Sequence, residues 1–330
     1  MAIKRIAALF IAFGLLASAC SGEDANTLTI YSGRSEDLIG PLVTQFEEAS
    51  GITVSVRYSD SAELAATILE EGDNSPADLF FSQDPASIGA VANAGLLTTL
   101  DAVDLARVPA QFSDVDGRWV GVSGRSRVMV YNTSAVAGDL PVSVDAIRSD
   151  EWAGRVAIAP TNGSFLAFVA AMILLEGEDV TLRWLEAMES APTYSGNSVI
   201  VAAVANGEVD AGLVNHYYLL RLMDEQGGAD AANWFFPTSG AGSLVMPSGA
   251  GILASSGRSD AAAEFVEFLL SDEAQRYFAD ETFEYPLVPA IEANSALPPL
   301  QSLQQPDIDL SELADVLDLA TDLVARAGLL

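Results

Sequence analysis

Short apolar runs and amphipathic helical patterns alternate along the first third of the chain. In residues 36–49, the apolar side chains that would share one helical face are Leu38, Ile39, Leu42, Val43 and Phe46. The predicted strands are 28–31, 52–58 and 77–81, and the predicted helices are 36–49, 62–71 and 88–94. Such alternation favours a mostly parallel sheet with helices on both faces.

The same alternation returns in the middle and at the end of the chain. The predicted strands there are 119–122, 128–131, 155–159, 211–214 and 243–253, with the polar stretch 123–127 separating the first two. The predicted helices are 164–175, 182–189, 198–205, 261–270, 272–279 and 310–327. Because no long linker separates the two α/β units, we expect two lobes joined by crossover strands, with a ligand cleft between them.

Residues 210–223 combine a strand, a helix and candidate chemistry in the sequence DAGLVNHYYLLRLM. The apolar run 211–214 predicts a buried strand, and Asn215 is a suitable N-cap for the helical pattern that follows. Tyr217 and Tyr218 would then stand in the first turn of that helix. Neighbouring side chains are only about 100° apart on a helix, so both hydroxyls can point at one ligand.

The first 20 residues have the pattern of an export signal, with two basic residues before an apolar segment, 6–16, that is too short to span a membrane as a mature helix. Small residues then lead to Cys20, the only cysteine, in an arrangement similar to a lipobox with Ala17 where leucine is usual. We expect residues 1–20 to form a lipoprotein signal, Cys20 to be lipidated, and 21–27 to form a tether. An ordinary cleaved signal with an incidental cysteine is the alternative. Without another thiol, the folded part can form neither a disulfide nor a thiolate metal site.

The chain is strongly acidic. Its 46 acidic residues outnumber its 15 basic ones, and the formal net charge is −31. Nucleic-acid binding is excluded, because so few basic groups could not offset the repulsion from phosphates. A saline habitat would explain the composition equally well, so the charge alone does not indicate a cationic ligand.

A series of motifs extends across nearly the whole chain after the signal. They are LTIYSGRSE, EEASGITV, EEGDNSPADLFFSQD, AGLL, VSGRSRVMVYN, TNGSFLAFVAAM, NSVIVAAVANGEVDAGLVNHYY, SGAGIL and EYPLVPAI. In this order they resemble the bacterial ferric-ion-binding proteins, the periplasmic "bacterial transferrins" of iron uptake. The segment ending in NHYY is the most specific, whereas SPADLFF and EASGITV are shared with the wider solute-binding superfamily.

The resemblance implies an α/β fold of the two-lobed periplasmic-binding-protein type (type II). Two mixed, mostly parallel sheets would be flanked by helices, with a ligand cleft between the lobes. The first lobe would comprise 28–105 and 245–295, and the second lobe 106–244 and 296–330.

In that family the adjacent tyrosines of the NxYY segment bind Fe3+ through phenolate oxygens, and these positions correspond to Tyr217 and Tyr218. Tyr131, in RVMVYN, falls where several members place a third tyrosine ligand. Ferric ion is a hard cation that prefers anionic oxygen, and its charge favours the deprotonated phenol although free tyrosine has a pKa of about 10. The structural alternative for the tyrosine pair is packing between the lobes. For Tyr131 the structural alternative is capping of the core.

The first lobe departs from the family pattern. Members with a histidine ligand carry it in a YxGxH segment, where this chain has Ser35. Other members have a tyrosine at the position of Glu36 or a glutamate at that of Gln83. Glu36 would supply an oxygen and Gln83 would bond a metal-bound water, although the helix dipole alone also favours an acidic residue at Glu36. Arg34 and Ser35, in a loop before a helix, would hold a synergistic anion such as carbonate.

Three more polar residues lie in or beside these motifs. Arg125 and Arg127, in SGRSR, would add positive charge to the site or pair with carboxylates. His216 is the only histidine and adjoins the tyrosine pair. Its side chain would point away from a ligand that both tyrosines share, so we interpret it as a residue of the surroundings or the rim.

Together these implications predict a monomeric solute-binding lipoprotein, not an enzyme, that captures Fe3+ and delivers it to an ABC transporter permease. It would lie in the periplasm or on the outer face of the cytoplasmic membrane, tethered by Cys20. Two alternatives remain open. The cleft would take a small organic solute or oxyanion, such as a polyamine or phosphonate. Otherwise the chain would be a hydrolase using Ser35, Ser164 and His216, although it has no nucleophile elbow, P-loop, zinc spacing or dinucleotide fingerprint.

Overall fold

The computed structural model describes residues 27–330. The predicted export signal, Cys20 and nearly all of the predicted tether lie outside the described residues. Thr27, the last residue of the predicted tether, already belongs to the first strand. Over the part of the chain that the structure describes, no helix has the length and apolar character needed to cross a bilayer.

Every strand and helix predicted within residues 27–330 has a counterpart in the structure. The strands are β1 Thr27–Ser32, β2 Thr53–Tyr58, β3 Leu79–Ser82, β4 Val120–Asn132, β5 Val156–Ala157, β6 Ala211–Asn215, β7 Ala231–Trp234, β8 Val245–Ile252 and β9 Tyr285–Pro286. The helices are α1 Glu36–Ser50, α2 Ser61–Glu71, α3 Pro85–Asn93, α4 Ala102–Leu105, α5 Gly163–Glu176, α6 Glu178–Ala187, α7 Asn197–Ala205, α8 Tyr217–Gln226, α9 Ser259–Leu269, α10 Asp272–Asp280 and α11 Leu317–Arg326. The short elements β7, β9 and α4 have no counterpart in the sequence prediction.

The strands follow the order β2-β1-β3-β8-β4-β6-β5, and β7 and β9 also pair with β4. The expected parallel pairing is confined to the outer strands, where β1 pairs with β2 and β3, and β5 pairs with β6. Strands β4 and β8 are antiparallel to their neighbours, so the sheet is less parallel than predicted. Strands β4 and β8, which run opposite to each other, join the two parallel groups β2-β1-β3 and β6-β5.

Residues 123–127 do not separate two strands, as their polarity predicts, but lie inside the single strand β4. Their serine and arginine side chains are buried, and some of the polar groups form hydrogen bonds within the sheet. The Ser123 and Ser248 hydroxyls lie 2.7 Å apart, and Arg125 donates to the carbonyl of Pro247 at 3.2 Å. Gly121 allows β4 to pass close to the backbone of Phe112, because a Cβ at Gly121 would lie 2.4 Å from the carbonyl oxygen of Phe112.

Strand β6 and helix α7 pack closely in the second lobe, and this contact positions the start of α8. Ile200 and Val204 of α7 share a buried cluster with Val214 of β6. Gly212 makes the approach possible, since a Cβ at that position would lie 2.2 Å from Cγ2 of Ile200. The packing of β6 against α7 therefore fixes the position at which the next segment, which leads into α8, begins.

The predicted C-terminal helix 310–327 divides into a 3-10 segment, Leu310–Val316, and helix α11. The 3-10 segment packs against α3 of the first predicted lobe and α5 of the second, while α11 packs against α5 and α6. The end of the chain thus contacts both predicted lobes. The lobe boundaries stay a prediction.

Candidate functional site

Tyr217 and Tyr218 begin helix α8 directly after strand β6. Their rings stack with centroids 4.2 Å apart and planes inclined by 27°. Tyr217 is fully buried, and its hydroxyl has no hydrogen-bond partner. A buried polar group without a partner costs about 1–3 kcal/mol, which makes this hydroxyl a candidate for binding a ligand.

His216, rather than the predicted Asn215, occupies the N-cap position of α8. Asn215 is the last residue of β6, where the sheet pairs it with Arg127. The Nδ1 atom of His216 accepts a hydrogen bond from the backbone N–H of Ser126 at 3.1 Å, and Nε2 lies 2.8 Å from the carbonyl oxygen of Phe283. These bonds require a neutral ring with its proton on Nε2, and burial lowers the pKa of His216 to about 4. Both ring nitrogens are therefore engaged by the backbone.

Arg34 is fully buried and forms an ion pair with Glu284. Its Nη2 atom donates to Oε2 of Glu284 at 2.7 Å, and the hydroxyls of Ser123 and Thr282 donate to the same oxygen at 3.1 and 3.2 Å. Burial is the largest single effect and lowers the pKa of Arg34, but the charge and hydrogen bond of Glu284 together with the neighbouring Tyr217 and Tyr218 outweigh it, and the net shift is upward. Nε and Nη1 of Arg34 have no partner.

Arg125 and Arg127 lie two residues apart on β4 and are both buried. Nη1 of Arg127 donates to Oγ of Ser164 at 3.2 Å and to Oδ1 of Asn215 at 3.4 Å. Its guanidinium lies 5.4 Å from the ring centroid of Phe168, and burial lowers its pKa to about 9. Nε of Arg127, and Nε and Nη1 of Arg125, have no partner. A group of buried guanidinium donors thus lies close enough to the tyrosine pair for charge interactions with it.

These arginines affect the ionisation of Tyr217. Burial raises the pKa of Tyr217 well above its ordinary value, and the neighbouring Tyr218 raises it further. The charges of Arg34 and Arg125 act in the opposite direction. Without a bound cation the phenol therefore stays protonated, although the two arginines favour its anion.

A polar cluster joins the N-termini of α5 and α7 beside Arg127. Oδ1 of Asn162 caps α5 by accepting from the backbone N–H of Ser164 at 3.2 Å. Nδ2 of Asn197 donates to the same oxygen at 3.1 Å and to Oγ of Ser164 at 3.2 Å. A small cavity of about 60 Å³ separates this cluster from Gln83 in the first lobe.

A larger cavity of about 570 Å³ lies between the predicted lobes. Among the residues that line it are Ser35, Glu36, Tyr58, Gln83, Tyr218 and Arg221. The structure therefore brings the predicted first-lobe residues Ser35, Glu36 and Gln83 to the same space as Tyr218. Arg34 is fully buried, whereas Ser35 is exposed. The predicted anion site at Arg34 and Ser35 is therefore divided between a buried and an exposed residue.

The structure does not bring Tyr131 to this site. In the register of β4 with β6, Arg127 pairs with Asn215 at the tyrosine end, whereas Tyr131 pairs with Ala211 at the opposite end. Four residues of strand correspond to roughly 13 Å. A ligand role for Tyr131 requires a position near the cleft, but β4 runs antiparallel to β6, so Tyr131 lies at the end of the pairing away from Tyr217 and Tyr218.

Comparison with known proteins identifies the family. Residues 74–310 match the family described as bacterial extracellular solute-binding protein. The chain is 34% identical to the Fe(3+)-binding periplasmic protein of Serratia marcescens over 98% of this chain and 95% of that protein. It is 35% identical to the major ferric iron-binding protein of Neisseria meningitidis serogroup B over 97% of this chain and 98% of that protein. The chain belongs to the bacterial extracellular solute-binding proteins, in the family of ferric-ion-binding proteins.

The fold comparison agrees with this assignment. The crystal structure of iron-bound HitA from Pseudomonas aeruginosa matches with a TM-score of 0.87 at 34% identity, over 92% of this chain and 99% of that chain. The predicted resemblance and the predicted two-lobed type II fold are thus confirmed.

Several residues of the site were not identified by sequence reasoning. Glu284 and Asn197 both lie within the quoted motifs. No local sequence pattern shows that Glu284 pairs with Arg34, or that Asn197 forms hydrogen bonds with Asn162 and Ser164. The position of Tyr58 at the end of a predicted strand could have identified it. Tyr58 ends β2 at the same sheet edge where β1 and β3 lead to Glu36 and Gln83.

We predict that the contribution of His216 to stability depends on pH. Its pKa is about 4 in the folded protein against 6.5 for a free side chain, so between these values the unfolded state binds more protons. Stability from the neutral ring is complete above about pH 6.5 and declines as pH falls towards 4, by roughly 3 kcal/mol in total. Urea unfolding of the metal-free wild type and His216→Asn at several pH values in this window will measure it.

When the unfolding free energies of the two proteins are subtracted at each pH, the contributions of the other titrating groups cancel. We expect His216→Asn to be clearly less stable at neutral pH and to lose that deficit at the acid end. A deficit of constant size across the window would contradict the assignment.

Proposed function

We propose that this protein captures Fe3+ in the cleft between its lobes, binds it through the phenolates of Tyr217 and Tyr218, and delivers it to an ABC transporter permease. The observation that carries the proposal is the tyrosine pair, with stacked rings, one unpartnered buried hydroxyl and one ring that lines the cavity. Relatives named for ferric iron binding align with nearly the whole chain, which supports it.

The available donor atoms favour a hard cation. Among residues 27–330 there is no group of three or more His, Cys, Asp or Glu side chains that could hold a metal ion. His216 is occupied by backbone bonds, so phenolate and single carboxylate oxygens remain, and hard trivalent ions prefer such oxygens. The positive charge of the ion would reverse the preference of Tyr217 for its protonated form.

The first lobe would complete the site on closure. Glu36 would supply a carboxylate oxygen, and Gln83 would bond a metal-bound water, since both line the cavity opposite Tyr218. Relative rotation of the lobes about β4 and β8 would close the site for transport and open it for release. The protein would act as a monomer.

A synergistic anion would bind with the iron. The buried arginines Arg34, Arg125 and Arg127 have guanidinium nitrogens without partners, and an anion is the natural acceptor for such donors. Ser35 lines the cavity from the exposed start of α1 and would contact the anion there. Carbonate and phosphate both fit this chemistry.

Tyr217→Phe is expected to weaken Fe3+ binding by roughly tenfold or more, equivalent to about 1.4 kcal/mol, and to reduce the visible phenolate-to-iron charge-transfer band. The metal-free variant should be at least as stable as the wild type, because the unpartnered hydroxyl is removed. Titration with ferric citrate and urea unfolding without metal measure the two effects. Tyr194→Phe, a tyrosine outside the cavity, is the control.

A colourless wild type whose melting temperature ignores ferric ion would contradict the proposal. If, in addition, a phosphonate or polyamine bound tightly and its binding survived Tyr217→Phe, the organic-solute alternative would replace it.

Removal of carbonate and phosphate from the buffer should lower the affinity for Fe3+, and returning either anion should restore it. In Arg127→Gln the restoration should be smaller, because one of the buried cations is gone. Arg57→Gln is the matched control, since the Arg57 side chain is 51% exposed and pairs with Glu71 and Tyr31. Equal affinity with and without anions in the wild type would exclude a synergistic anion.

We also infer that Cys20 carries a lipid that holds the protein at the outer face of the cytoplasmic membrane. Cys20→Ala should move the protein from the membrane fraction to the soluble fraction of expressing cells, and it should abolish incorporation of labelled palmitate. An unlabelled wild type in the soluble fraction would favour an ordinary cleaved signal.

A further inference from the structure

Three parallel strands deliver side chains to the first-lobe wall of the large cavity. β1 is central, with β2 and β3 on either side, and Ser32 of β1 pairs with both Tyr58 and Phe81. The carboxyl ends of parallel strands meet at one sheet edge. Among the residues that reach the cavity from this edge are Glu36 after β1, Tyr58 at the end of β2 and Gln83 after β3.

Tyr58 differs from the structural tyrosines of the same lobe in the state of its hydroxyl. The hydroxyls of Tyr31, Tyr277 and Tyr285 donate to Glu71, Leu38 and Pro298, at 3.1, 2.9 and 3.0 Å. Within residues 27–330 the Tyr58 hydroxyl has no hydrogen-bond partner. Its side chain is half-buried and lines the cavity that Tyr218 lines from the other lobe.

Charge balance in a ferric site also favours a third phenolate, and the Tyr58 phenol can supply it. Three phenolates neutralise Fe3+, but Tyr131 lies at the far end of β4 and cannot be the third. On the first-lobe side the cavity offers one phenol, Tyr58, and Glu36 lines the same wall. A carboxylate and a phenol on this wall, opposite Tyr218 with the buried Tyr217 stacked on it, give an all-oxygen donor set.

We propose that Tyr58 is the first-lobe phenolate ligand of the bound metal ion, meeting Tyr217 and Tyr218 when the lobes close. This inference rests on the proposed ferric-binding function. It replaces Tyr131 as the third phenolate and makes coordination depend on closure, because the three phenols come from two lobes. Glu36 then acts as an additional oxygen donor or as a partner of a metal-bound water.

The test compares Tyr58→Phe with the wild type and with Tyr131→Phe, which is the matched control because it removes a phenol hydroxyl away from the cavity. Each protein is titrated with ferric citrate, and three quantities are measured. They are the charge-transfer absorbance per bound iron, the affinity in competition with citrate, and the melting temperature without metal. The metal-free melting temperatures show that each variant is folded.

We expect Tyr58→Phe to bind Fe3+ at least tenfold more weakly, with a smaller and shifted band per bound iron, and Tyr131→Phe to match the wild type. A wild type with the band and a Tyr58→Phe variant with unchanged band and affinity would overturn this inference alone. A wild type without any band would overturn the proposed function and this inference together.

Glu36→Gln separates the two first-lobe donors. Because a carboxylate gives no charge-transfer band of this kind, its loss should change affinity without reducing absorbance per bound iron. If Glu36→Gln weakened binding while Tyr58→Phe left both affinity and band unchanged, Glu36 would be the first-lobe ligand and Tyr58 would not.

Discussion

The buried ion pair between Arg34 and Glu284 is the constraint on which the site depends. Two charges removed from water are costly, and they are tolerated only when each is well paired and hydrogen-bonded. The carboxylate of Glu284 receives Arg34 from the first loop, Ser123 from β4 and Thr282 from the segment before β9. Loss of either charge would leave the other uncompensated at the junction of the lobes.

The same junction positions the tyrosine pair. His216 adjoins Tyr217 and bonds the carbonyl of Phe283, the residue before Glu284. Phe283 has a φ of 57°, the one positive value among non-glycine residues in the described part of the chain. Such a backbone conformation is maintained only where its surroundings fix it, and here bonds to Phe283 and Glu284 on both sides do so. The start of α8 is thereby tied to the segment that precedes β9.

The electrostatics of the site oppose a bare cation and favour a cation with anionic ligands. Arg34, Arg125 and Arg127 place buried positive charge behind the tyrosines, and only part of it is offset by Glu284. A trivalent ion would be repelled unless phenolates and a bound anion separated it from the guanidinium groups. Burial keeps Tyr217 protonated without metal. The proposed site would therefore gain its negative charge together with its ligand.

Local sequence patterns were sufficient for the tyrosine pair and for the secondary structure apart from β7, β9, α4 and the continuity of β4. Apolar periodicity located every predicted strand and helix from β1 to α11, because burial of one face imposes a repeat that is visible in neighbouring residues. The adjacency of Tyr217 and Tyr218 at a helix start already placed two phenols together. By contrast, the polar stretch in β4 was interpreted as a separator, since polarity alone does not show that Ser123 and Arg125 find partners inside a sheet.

Tertiary structure decided the remaining half of the site. Arg34 and Glu284 are 250 residues apart, and no local pattern indicates that they pair. Strand direction decided that Tyr131 points away from the cavity and that Tyr58 lies at its wall. The sequence by itself determined which segments fold and which chemistry they carry, because those depend on near neighbours. Which groups meet across the cleft depends on strand order and on the pairing of buried charges, and only the folded chain specifies these.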